Sequence, residues 1–244
     1  MAKAQAGFSL IELALVLIIL SLAVGGALVP LNAQIEQRRL DETTQLLNEV
    51  YDAVLGFAIR NGRLPCPASA ASNGLEDRNP QNSGVCSHPY DGYVPAASLG
   101  LGHLDAQGYL LDAWGNRVRY AVAKTSNSAF TTTDGMKNAG LAVLQSELAV
   151  CASAAGTTSA GCGSAPALTS ATNNAPPAVI FSSGKNGAAG GASADEAANL
   201  DNNPVFISHT SMPAGAQTGE FDDMVIWLSP NILYGQMVNA GQLP

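Results

Sequence analysis

Gly7-Phe8-Ser9-Leu10-Ile11-Glu12 opens an apolar run that continues to Leu31 and holds one ionisable residue, Glu12. A helix over Phe8–Leu31 is about 36 Å long at about 1.5 Å per residue, enough for about 30 Å of hydrocarbon. A carboxylate inside such a span costs roughly 2.5–3.5 kcal/mol and needs a partner. The run itself contains no Lys, Arg or His. The nearest candidate cation is the amine that a cut between Gly7 and Phe8 would create, on this chain or on a neighbouring copy. A secretory signal peptide fits poorly: its apolar core is shorter and a small-residue site follows it, whereas Leu31-Asn32-Ala33 is a poor site. A plain membrane anchor explains the length and leaves Glu12 without a purpose.

The 244 residues suit one membrane helix plus one globular domain. The chain is 47% apolar, only 12% charged, and carries a net charge of −8. Losing Met1–Gly7 removes Lys3 and leaves −9. No Lys or Arg follows Lys185, while Asp195, Glu196, Asp201, Glu220, Asp222 and Asp223 all do. Phosphate contacts need cations, so no nucleic-acid partner is expected. Lys3 precedes the span, and Arg38 and Arg39 follow it among Glu36, Asp41 and Glu42, so charge alone orients it weakly.

Cys66, Cys86, Cys151 and Cys162 are an even set, which outside the cytoplasm suggests two disulfides among three possible connectivities. The sequential pairing, Cys66–Cys86 and Cys151–Cys162, is favoured because each pair brackets a loop rich in Gly, Ser, Ala and Asn. A zinc site of Cys66, Cys86 and His88 is disfavoured by its scattered spacing. His88, His103 and His209 read as structural or exposed.

Leu40, Leu47, Val50, Tyr51, Val54 and Ala58 recur at three- and four-residue steps, so the helix continues amphipathically to Arg60. Asn61-Gly62 and Pro65 stop it. Gly25, Gly26 and Pro30 predict a loosened turn within it. Strands are predicted at Val118–Ala123, Ala178–Ser182 and Met224–Leu228. A C-terminal helix is predicted from Ser229-Pro230 to near Gly241. Pro67–Pro95 and Ala152–Pro177 read as surface loops. Leu141–Val150 suits a short helix or a strand. The expected fold is α+β: a long N-terminal helix packed on a small antiparallel sheet with large disulfide-tied loops. Its segments are a leader over 1–7, a membrane helix over 8–31, an amphipathic continuation over 32–60, and a globular domain over 61–244.

No enzyme is expected. Ser182-Ser183-Gly184-Lys185 lacks a nucleophile elbow, His209 with the aspartates lacks triad context, and Gly184–Gly191 lacks the phosphate-loop ending. A membrane-anchored periplasmic binding or sensing domain that never polymerises is the alternative class.

Ala6-Gly7 followed by Phe8-Ser9-Leu10-Ile11-Glu12-Leu13 resembles the processing site of type IV prepilins and type II secretion pseudopilins. The resemblance implies cleavage after Gly7 by prepilin peptidase, N-methylation of Phe8, and assembly through Glu12 and a neighbour's N-terminus. It implies the bacterial inner membrane, a single pass, a periplasmic C-terminal domain, an assembly platform and other pilin or pseudopilin subunits as partners. Pilus and secretion pseudopilus, major and minor subunit, all stay open. Asp112-x-Trp114-Gly115-Asn116, Phe181–Gly187 with Gly190-Gly191, and Phe221–Trp227 resemble, in the same order, segments of the major pseudopilin. In that family the loop binds calcium. Carried over, the ligands are Asn186 with Asp222 or Asp223, and Asp195, Glu196 or Asp201 could substitute. Asn186 stands where the family has Asp, and about 30 residues separate Gly191 from Asp222 where the family has a few. Calcium wants six to eight oxygens.

Overall fold

The computed structural model describes residues 9–169, 174–191 and 193–244, with backbone alone over 23–31. The chain divides into two compact units at the Glu42/Thr43 boundary. Helix α1 (Leu10–Asn61) contributes to both.

In the first unit Leu10, Ile11, Leu13, Leu15–Leu20 and Leu22 are all exposed. Among the described residues no helix is long and apolar enough to cross a membrane. The expected span includes Phe8, outside the described residues, and 23–31, whose side chains are too. α1 is helical through Gly25, Gly26 and Pro30 in the single chain. Pro removes one backbone donor, and the remaining ladder carries the helix on either side. Nearer Glu42 the helix surface is polar, with Gln37 donating to Asp41 at 3.0 Å.

In the second unit Leu47, Val50, Val54 and Ala58 enter the core, while Tyr51 is half-buried. Their spacing places them on one stripe of the helix. Gly62 ends α1: at φ +66° its N–H bonds the Ala58 carbonyl at 2.9 Å, the left-handed stop that glycine adopts without strain.

The main sheet orders β1 (Gly92–Tyr93), β2 (Arg119–Val122), β4 (Ala178–Ser182) and β6 (Met224–Trp227), antiparallel throughout. Every residue of β4 is buried, which explains its continuous apolar run. The core joins Val50 and Val54 of α1 to Tyr120, Val122 and Ile180 of the sheet. Leu233 and Met237, on the C-terminal helix Pro230–Asn239, join the same core.

A second, two-stranded sheet pairs β3 (Ala149–Cys151) with β5 (Val205–Ile207) in parallel. The fold is therefore not built on antiparallel pairing alone. This sheet has its own small core of Ala149, Cys151, Val205, Ile207 and Phe221. Leu141–Val150 resolves into irregular chain entering β3 rather than a helix. Three residues leave no room for periodicity, so neither β3 nor β5 was separable from loop by pattern.

Cys66 joins Cys86 and Cys151 joins Cys162, with Cα separations of 5.3 and 5.5 Å. Each closes a local loop, of 20 and 11 residues, and contributes on the order of 3 kcal/mol by restricting the unfolded chain.

Candidate functional site

Gly7 and Phe8 lie outside the described residues. Glu12 stands in the first turn of α1 and is exposed. Ser9 N–H donates to Glu12 Oε2 at 3.4 Å, and Glu12 N–H donates to Ser9 Oγ at 3.3 Å. This reciprocal pair is a capping box. Both bonds are long, so in the single chain the carboxylate has a weak partner within its own first turn. The Ser-x-x-Glu spacing is the sequence signal for it.

The C-terminal motifs converge through hydrogen bonds. Asp112, buried, accepts from the N–H groups of Trp114 and Asn116 at 3.0 and 2.8 Å and from Ser182 Oγ at 2.6 Å. Asn116 Nδ2 donates to the Gly184 carbonyl at 2.6 Å. Asn186 N–H reaches Asp222 Oδ2 at 3.3 Å. Gly184 sits at φ +60°, and a Cβ there would come within 2.1 Å of Asp222 Oδ1. Only glycine lets the loop lie this close to the acid.

Carboxylate oxygens of Glu196, Asp222 and Asp223 all lie within 4.8 Å of one another. Helix Ala194–Ala198 supplies Glu196, which closes a second capping box with Ser193. Asn186 Nδ2 donates to both Glu196 oxygens at 3.1 Å. Asp223 Oδ2 accepts from Asn199 Nδ2 at 2.7 Å. Asn199 also donates to the Ile207 carbonyl and accepts from the Ile207 N–H, so it ties the cluster to β5. Its role has no local sequence signal, because it depends on a strand eight residues away.

Burial, then the charge of Glu196, pushes Asp222 up to about 6. Burial pushes Asp223 up to about 7 against the hydrogen bond from Asn199, and the charges of Glu196 and Asp222 add to the rise. Asn186 Oδ1 and Asp222 Oδ1, both buried, have no hydrogen-bond partner among the described residues. Unpaired oxygens among crowded carboxylates are the donor set of a hard cation such as Ca²⁺. The residues present therefore fit one.

Of the acids expected as substitutes, only Glu196 joins this cluster. Asp195 Oδ2 faces His209 Nε2 at 3.1 Å, and Asp201 pairs with Asn203 before β5. The ring of His209 stacks on Phe221 with centroids 3.8 Å apart. His209 Nδ1 contacts the Thr210 carbonyl, so neither ring nitrogen meets a hydroxyl.

No curated protein and no solved structure matches the chain. Its residues 2–28 match the prokaryotic N-terminal methylation motif, which belongs to structural rather than enzymatic proteins. The N-terminal segment thus carries the signature of a type IV pilin-like or pseudopilin precursor.

Proposed function

We propose that the chain is a structural subunit of a type IV pilus-like filament or a type II secretion pseudopilus. Prepilin peptidase cuts it after Gly7 and methylates Phe8, the apolar part of α1 anchors it in the inner membrane, and the second unit lies in the periplasm. An assembly platform then draws it into a filament with other subunits. The methylation motif over residues 2–28 carries this reading. The exposed apolar face of α1 with Glu12 upon it supports it, since such a face needs lipid or other helices as cover. Intact-mass measurement of the protein from its native membrane tests it. A methylated chain starting at Phe8 is expected; a chain still starting at Met1 would leave an anchored binding or sensing domain.

Asn186, Glu196, Asp222 and Asp223 would hold one Ca²⁺ in the second unit. The unpaired Asn186 Oδ1 and Asp222 Oδ1 support this assignment. The ion would neutralise the crowded carboxylates and fasten the loop around Asn186 to the lead-in of β6.

A further inference from the structure

Arg117 and Arg119 are two residues apart along extended chain, which puts both side chains on one face of the sheet. Tyr93 of β1 is the cross-strand partner of Arg119. Both guanidiniums lie over its ring, Arg119 at 4.8 Å and Arg117 at 5.7 Å from the centroid. Their charges are balanced unequally. Arg117 donates to Asp105 Oδ2 through Nε and Nη2, at 3.1 and 3.0 Å, and stacks on Tyr109 at 3.9 Å. Arg119 gives Nη1 to the Asp91 carbonyl at 2.9 Å and makes no ion pair among the described residues. One cation is thus fixed in place by an aromatic ring and a carbonyl, with no ion-pair partner among the described residues.

Beside it lies a cavity of about 220 Å³, lined by Tyr93, Asn116, Arg117, Arg119, Ser183 and Gly187. No carboxylate lines it among the described residues. Ser183 is 7% exposed, and its hydroxyl has no hydrogen-bond partner among the described residues. The volume is below the roughly 300–1,000 Å³ of pockets for drug-sized ligands. It suits the end of a side chain or a very small acid.

We infer that this cavity is a carboxylate-binding site. The unspent edge of the Arg119 guanidinium and the Ser183 hydroxyl donate to the two oxygens, and Tyr93 holds Arg119 in position. A guanidinium fork matches a carboxylate geometrically and by charge. With 19 Asp and Glu in each chain, a second copy offers carboxylates in abundance, and a free small acid offers the same chemistry. This site does not depend on the cation site or on the filament reading.

The test uses the full-length chain in non-ionic detergent, titrated with sodium acetate against sodium chloride at equal ionic strength. Acetate is a monocarboxylate that sequesters little calcium. Saturable shifts of the Ser183 and Gly184 amides and of Arg119 Nε–H are expected by NMR. Binding should weaken at least about tenfold in Arg119→Gln, the loss of one charge-assisted contact. Ser183→Ala should weaken it less, and Arg119→Lys should weaken it while keeping the charge. Amide spectra unchanged elsewhere would show that each variant is folded. Sedimentation separates the sources: self-association weakened by Arg119→Gln and by acetate assigns the carboxylate to a second copy. Unchanged self-association with retained acetate binding assigns it to a free acid. No saturable response beyond chloride, or an equal response in Arg119→Gln, overturns the inference.

Discussion

The Asp222 backbone N–H donates to Glu196 Oε1 at 3.0 Å, joining the first turn of helix Ala194–Ala198 to the chain that enters β6. Glu196 Oε2 meanwhile accepts from Ser193 N–H at 3.2 Å. Glu196 cannot turn away from Asp222 without opening its own helix cap. The crowding of acids is therefore built into the fold, although about 25 residues separate the two in sequence.

That crowding sets an expected pH dependence for the calcium-free chain. Asp222 and Asp223 hold their protons more tightly folded than unfolded, being raised to about 6 and about 7. Between about pH 4 and 7 the folded state binds more protons, so its stability falls as pH rises. Asp223, the more deeply buried of the two, dominates the loss, because solvent screens the half-buried Asp222. Calorimetry of the full chain in chelator should show a lower melting temperature at pH 8 than at pH 5. Millimolar calcium should restore it at pH 8 by binding only the folded form, with magnesium a poor substitute. Asp223→Asn should flatten the pH dependence and remove the calcium shift; a calcium shift intact in that variant would return these acids to a plain negative surface.

On the proposed filament reading, Glu12→Ala should abolish or sharply reduce filaments, because the carboxylate proposed to pair with a neighbour's terminal amine would be gone. The second unit should remain folded, since Glu12 lies outside it. Filaments sheared from cells and counted by electron microscopy check this, and normal numbers would count against the assembly role. Gly7→Val should separately leave the leader attached, seen as a heavier chain in the membrane fraction.

Asn199→Ala should destabilise the second unit by about 2–4 kcal/mol, for it removes the donor to buried Asp223 and both bonds to Ile207. The Ile207 amide should exchange faster than those of β4. Denaturant melts with hydrogen exchange read both effects, and equal protection at Ile207 would show that Asn199 does not hold β5.

Non-reducing peptide mapping should recover Cys66 with Cys86 and Cys151 with Cys162. Replacing either pair by Ser should cost about 3 kcal/mol, the entropy of a short closed loop. Crossed pairs or free thiols in periplasmic protein would overturn the arrangement.

The sequence by itself determined α1, the three longer antiparallel strands and the C-terminal helix, because each carries its own apolar period or terminal signal. Ser229-Pro230 before Pro230–Asn239 is one such signal, and Val179-Ile180-Phe181 in a fully buried strand is another. It also determined the methylation motif, which is a property of contiguous residues. Tertiary structure alone decided that β3 and β5 pair in parallel, that Glu196 rather than Asp195 or Asp201 joins Asp222 and Asp223, and that Arg119 and Ser183 line one cavity. Each of these depends on segments tens of residues apart meeting at one place. Burial and hydrogen bonding across such contacts leave no period in the local sequence, so packing had to place them.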